Sequence, residues 1–219
     1  MTLNSTTSTR RLLIPGPAGN IEVFHDEPHG AVAGFAIITH PHPLQGGTAE
    51  HKIPQIIARA CQENGYVAVR PNFRGVGGTA GTHDAGRGET DDVLYIVRSM
   101  RSQYPQSPII LAGFSFGAYV QALVGQRLAR EDAVRARLIL VGAPSGVLPA
   151  GREYDTPPVP EDSLIIHGEC DDVVPLSSAL DWARPQDLPV VVIPGARHFL
   201  TGAIPTLRRV LNSHLKVST

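Results

Sequence analysis

Cysteine is nearly absent from this chain of 219 residues. Cys61 and Cys170 stand far apart, in no spacing that suits zinc or redox chemistry. The chain can bury roughly 70% of its unfolded surface, so it needs neither a metal nor a disulfide staple. So little cysteine fits a reducing compartment, and the expected location is the cytoplasm. An excess of charge of one sign is also missing: 19 basic and 20 acidic residues leave a formal net charge of −1. That removes the electrostatic footprint of a nucleic-acid or membrane-surface binder. Long apolar runs are lacking too. Ala31–Ile38 is the longest, includes a glycine, and is far too short to span a bilayer. The polar, Ser/Thr-rich stretch Met1–Arg11 has no apolar core of a signal peptide. No repeat of 20 to 50 residues is present. The expectation is one domain over residues 11–219, behind a frayed tail over residues 1–10.

Within that domain the pattern alternates. Arg11–Pro15 and Asn20–His25 flank the turn signal Gly16-Pro17-Ala18-Gly19 and predict a hairpin. Strands are predicted at Ala33–Thr39, Tyr66–Val69, Ile109–Ala112, Arg137–Val141, Ser163–Ile166 and Pro189–Ile193. Helices are predicted at Ile53–Asn64, Glu89–Tyr104, from Phe116 through Leu128, at Leu176–Ala183 and at Ala203–Leu215. This order predicts a mostly parallel, doubly wound sheet in a three-layer α/β/α sandwich. Functional groups in such sheets collect beyond the carboxyl ends of the strands, so the residues following each strand matter most.

After Ile109–Ala112 comes Gly113-Phe114-Ser115-Phe116-Gly117. The Gly-x-Ser-x-Gly pattern between a strand and a helix sets a serine hydroxyl clear of the backbone, and its glycines avoid side-chain collisions in a sharp turn. Asp171 follows the next-to-last strand and His198 the last, 56 and then 27 residues further on. A serine hydroxyl is a weak nucleophile at neutral pH. It needs an imidazole to take its proton and a carboxylate to hold the imidazole. The assignment is Ser115 as nucleophile, His198 as base and then acid, and Asp171 as orienting acid, with Asp172 as the fallback.

The elbow, together with His167-Gly168-x-x-Asp171-x-x-Val174-Pro175 and Gly195-x-x-His198, resembles the α/β-hydrolase superfamily. The segments His40-Pro41-His42-Pro43-Leu44-x-Gly46-Gly47-Thr48 and Arg70-Pro71-Asn72-Phe73-Arg74-Gly75-Val76-Gly77 are more specifically similar to small, lid-free bacterial serine hydrolases, a set akin to dienelactone hydrolases. Those carry cysteine at the elbow where this chain has Ser115, so their lactone substrate is not carried over. The resemblance implies an oxyanion hole made by the backbone N–H of Phe116 and one from the loop after the third strand. Pro41 and Pro43 have no N–H, which leaves His42 first and Leu44 second. It also implies hydrolysis of small carboxylic esters through an acyl-enzyme, without cofactor or metal. The Gly142–Glu161 connector is too short for a helical cap and implies an open site. The same triad serves thioesterases and peptidases, and a non-catalytic binding module on this scaffold is the alternative of a different class. Monomer and homodimer are equally compatible with the sequence.

Several residues have plainer readings. His167 is expected to pack beneath the Asp171 loop, and Cys170 to be a small packed residue. Phe114 and Phe116 are expected to pack, with Phe116 also walling the pocket. Arg70 and Arg74 are either salt-bridged or in contact with an anionic substrate. His40, His42, His51 and His83 with Asp84 form no closed ligand set for a metal. Gly75–Ala80 matches a dinucleotide fingerprint, but no helix opens from it, and a flexible substrate-side loop is the better account.

Overall fold

The computed structural model describes residues 9–149 and 151–216. The expected tail therefore lies mostly outside the described residues, apart from its last two positions: Thr9 hydrogen-bonds Asp26, and Arg10 already belongs to a strand. In chain order the strands are β1 (Arg10–Ile14), β2 (Ile21–Asp26), β3 (Gly34–Thr39), β4 (Tyr66–Pro71), β5 (Ile109–Phe114), β6 (Arg137–Val141), β7 (Gly146–Val147), β8 (Glu153–Tyr154), β9 (Leu164–Gly168) and β10 (Val190–Ile193). The helices are α1 (Lys52–Glu63), α2 (Arg87–Gln103), α3 (Phe116–Asp132), α4 (Leu176–Ala183) and α5 (Ile204–Leu215).

Eight strands form one sheet in the order β1-β2-β4-β3-β5-β6-β9-β10. β1 and β2 are the expected hairpin. β2 pairs antiparallel with β4, and every pairing from β4 onward is parallel. β3, β4 and β5 are buried at every position, which is why their sequences are continuous apolar runs. Their side chains alternate between two cores. Phe35, Ile37, Ile109 and Leu111 join the core under α2 and α3, while Ala36, Ile38, Ile110 and Ala112 join the core under α1 and α5. The sheet thus has two covered faces, the three-layer sandwich expected from the alternation.

Among the described residues the connector after β6 holds no helix. It carries there the two-residue ladder β7–β8, which no periodicity could announce at that length. The Gly-rich segment after β4 departs from expectation. It is tied down rather than loose: Gly78 N–H and the Asn72 side chain donate to Glu22, Thr79 Oγ1 donates to Asn72 O, and Ala80 N–H donates to Asn20 O. α2 begins only at Arg87, so no helix opens from the glycines and the dinucleotide reading finds no support.

Candidate active site

Parallel strands point the same way, so the segments leaving β3, β5, β9 and β10 emerge at one rim of the sheet. The β5–α3 turn is the tightest of them. Ser115 sits at φ 56° and ψ −124°, a conformation that L residues rarely adopt. A Cβ on Gly113 would come within 2.4 Å of the Gly117 backbone, and one on Gly117 within 2.5 Å of the His40 carbonyl oxygen. The glycines are therefore required by close backbone approach, as the sequence pattern implies. Thr39 Oγ1 donates to Gly117 O at 2.9 Å, locking the β3 loop to the start of α3.

Ser115 Oγ lies 2.9 Å from His198 Nε2, and His198 Nδ1 lies 2.7 Å from Asp171 Oδ2. All three residues are buried. Asp171 Oδ1 accepts the backbone N–H groups of Val173 and Val174 at 2.9 and 2.8 Å. Burial pushes the Asp171 carboxyl up. The His198 hydrogen bond and charge and the Val174 and Val173 amides outweigh burial and hold it below the ordinary carboxylate value. An ionised Asp171 assigns the proton of the imidazole to Nδ1 and leaves the Nε2 lone pair facing Ser115. Asp172 is exposed and pairs with Arg197, so it is not the carboxylate beside His198.

Phe116 occupies the first position of α3, where no intrahelical acceptor exists for its N–H, and His42 N–H has no acceptor among the described residues. The carbonyl of His42 accepts the N–H groups of Gln45 and Gly47, which curls its loop. The His42 ring packs on Phe116 with centroids 5.0 Å apart, bringing that loop beside the helix start. Leu44 stands at the exposed tip of the same loop.

The plainer readings sort themselves by contact. His167 is wholly buried; its Nε2 donates to Val174 O at 2.9 Å and lies 3.5 Å from Asp171 Oδ2, so it packs under that loop as expected. Arg70 pairs with Asp26 at 3.1 Å, and Arg74 with Asp92 at 2.7 Å, as salt bridges. Phe114 lies between the His51 and His198 rings. Cys170 departs from expectation: it is exposed rather than packed, because its loop turns outward between β9 and Asp171. Cys61 is the packed thiol, and burial pushes its pKa up to about 12.

Among the described residues no group of three or more His, Cys, Asp or Glu side chains could hold a metal ion. The histidines explain why. His40 is wholly buried, with Nδ1 2.7 Å from Pro41 O and Nε2 accepting Phe73 N–H at 2.9 Å, so both nitrogens are used. Burial pushes its pKa down to about 3. His51 caps α1 by accepting Ile53 N–H.

Two features escaped the sequence. Glu89, placed by the sequence at the start of a helix, is wholly buried and reaches back to accept the N–H groups of Gly86 and Asp84. His83 approaches the site from the loop before α2, its ring 4.8 Å from His42 and 5.2 Å from Phe116. A histidine inside a Gly-rich loop carries no periodicity that could have placed it there.

Comparison with known proteins agrees with this fold. The family model for the alpha/beta hydrolase fold matches residues 44–150. An α/β serine hydrolase without lid from Xanthomonas campestris is 32% identical, covers 99% of this chain and is itself covered over 97%, with a TM-score of 0.85. An α/β serine hydrolase homologue from Coxiella burnetii is 38% identical, with 96% and 100% covered and a TM-score of 0.80. An uncharacterized protein of Rickettsia prowazekii is 29% identical over 212 residues, 91% of this chain and 86% of its own length. The chain belongs to the α/β-hydrolase family, and that membership makes it a hydrolase. Among the described residues no helix is long and apolar enough to cross a membrane.

Proposed function

We propose that this protein hydrolyses small carboxylic esters through an acyl-enzyme on Ser115. The single observation that carries the reading is the unbroken chain from Ser115 Oγ to His198 Nε2 and from His198 Nδ1 to Asp171 Oδ2, at 2.9 and 2.7 Å. Distances too long to couple these groups would have favoured the non-catalytic binding module, and the short ones here support catalysis. His198 Nε2 takes the hydroxyl proton as Oγ attacks the ester carbon, and Asp171 stabilises the imidazolium that forms. The developing oxyanion falls to the N–H of Phe116 at the start of α3, with the N–H of His42 as the second donor. The imidazolium then gives its proton to the departing alcohol. Water, deprotonated by the same nitrogen, attacks the acyl carbon; the Oγ–acyl bond breaks, the imidazolium returns the proton to Ser115 Oγ, and the carboxylic acid leaves. Each oxyanion donor contributes on the order of 3 kcal/mol to transition-state stabilisation.

The absence of any helix in the described part of the connector after β6 favours short acyl groups over long-chain lipids. A fluorophosphonate probe tests the nucleophile. Wild type should be labelled, and Ser115→Ala should lose the label together with about a million-fold in kcat. A folded wild type that resists the probe would sink the mechanism. A p-nitrophenyl ester series, with thioester and peptide controls, should give its highest kcat/KM at short acyl chains, and a maximum at long chains or on the controls would overturn the substrate reading.

A further inference from the structure

Phe116, next to Ser115 in the chain, is surrounded by rings from separate segments. His42 comes from the β3 loop at 5.0 Å, His83 from the loop before α2 at 5.2 Å, Tyr119 from α3 at 6.1 Å and Tyr154 from β8 at 6.5 Å. Two side-chain nitrogens in this corner, His42 Nδ1 and His83 Nδ1, are buried yet make no hydrogen bond, and the same holds for Nε of Arg152, close in the chain to Tyr154. His83 Nδ1 does lie 2.9 Å from Glu89 Oε1, close enough for an ion pair but off the line a hydrogen bond requires.

Arg152, two residues before Tyr154, is the unusual member. Its side chain is half-buried, and no carboxylate among the described residues lies within ion-pair distance of it. Arg70, Arg74 and Arg197, by contrast, each have one. Its charge reaches the corner: it helps to lower His42, after burial and the His83 charge, and it opposes the upward push of burial on Tyr154. Glu89, the buried carboxylate nearby, is occupied by the amides of Asp84 and Gly86 and by His83. Burial pushes the His42 pKa down to about 4, so His42 offers a neutral ring at physiological pH. Arg152 Nε is a donor and the two ring nitrogens can donate or accept; buried polar groups left unpaired are costly, and several close to a nucleophile mark where a ligand supplies their partners.

We propose that Arg152, with His42 and His83 beside it, forms an anion subsite flanking Ser115, and that the preferred esters carry a carboxylate on the part reaching over Phe116. The guanidinium fork matches a carboxylate in shape, and its single positive charge, with no carboxylate among the described residues within ion-pair distance, matches a monoanion. This inference rests on Ser115 being the nucleophile, and its test keeps the two apart.

Two alkyl fluorophosphonates of equal length, one ending in a carboxylate and the other in the methyl ester, are compared by their rate of labelling Ser115. In wild type the carboxylate probe should react about ten- to a hundredfold faster. In Arg152→Gln that ratio should collapse toward one, and Arg152→Lys, which keeps the charge but not the fork, should retain part of it. Because both probes read the same folded fraction, partial misfolding of a variant does not disturb the ratio. Equal rates in wild type, or a ratio unchanged in Arg152→Gln, overturn the subsite while Ser115 stands. If neither probe labels Ser115, the nucleophile assignment falls and this inference falls with it.

Discussion

Ser115 holds its hydroxyl toward His198 only because its backbone is strained. Positive φ at a residue with a Cβ costs on the order of 1–3 kcal/mol, and the cost persists because the Gly113–Gly117 approach and the Ser115 N–H bond to Val141 O leave no alternative path. Removing the Cβ relieves that strain, whereas replacing the hydroxyl alone does not. Ser115→Gly should therefore unfold about 1–3 kcal/mol later than Ser115→Ala in urea, with both variants inactive. Equal midpoints would show that the turn stores no strain. The pattern Gly-x-Ser-x-Gly made the position of this residue legible. Its coupling to His198 was not, because that depends on a side-chain distance across 83 positions of chain.

The working unit at the element scale is the strand–turn–helix of β5 and α3, clamped to the β3 loop. Gly117 lies against the carbonyl oxygens of Thr39 and His40, and Thr39 Oγ1 closes the clamp. A methyl group at Gly117 must push the β3 loop, and His42 with it, away from the helix start. Gly117→Ala should destabilise the fold by about 1–3 kcal/mol or more, read as a lower urea midpoint. It should also cut kcat, because the proposed second oxyanion donor, the N–H of His42, moves with the loop. Wild-type values for both would refute the clamp. Helices and parallel strands were readable here to within a few residues because their apolar spacing is local. The β7–β8 ladder and the pinned Gly-rich loop were not, because long-range bonds to partners such as Glu22 hold them.

Over the whole molecule, burial dominates the titration of six histidines. His25, His40, His42, His51, His167 and His214 are all pushed below their ordinary value, with burial as the leading cause. Each binds a proton more readily in the unfolded chain, so stability rises with pH. It is complete above about pH 6.5 and is lost as the pH falls toward the folded-state values, which for His40 is about 3. His40 alone should give a slope approaching about 1.4 kcal/mol per pH unit between those limits. Asp171, held low, adds a loss of the same sign below the ordinary carboxylate range. Urea unfolding at pH 5 and pH 7 should show the difference, and His40→Asn should flatten it by about one proton. A stability independent of pH in this window would show that these rings are not held neutral by burial.

What the sequence determined by itself was the order of elements, the sheet they imply and the placing of Ser115, the Asp171–Asp172 pair and His198 just after strands. Each of these depends on local spacing or on which residue follows a strand. Only the tertiary structure decided that Asp171 rather than Asp172 faces His198, that Cys170 is exposed, and that Glu89 is buried. It alone gathered His42, His83 and Tyr154 around Phe116. Those outcomes depend on which side chains meet across the fold and on how much water burial removes from them, and neither quantity is written in the spacing of residues along the chain.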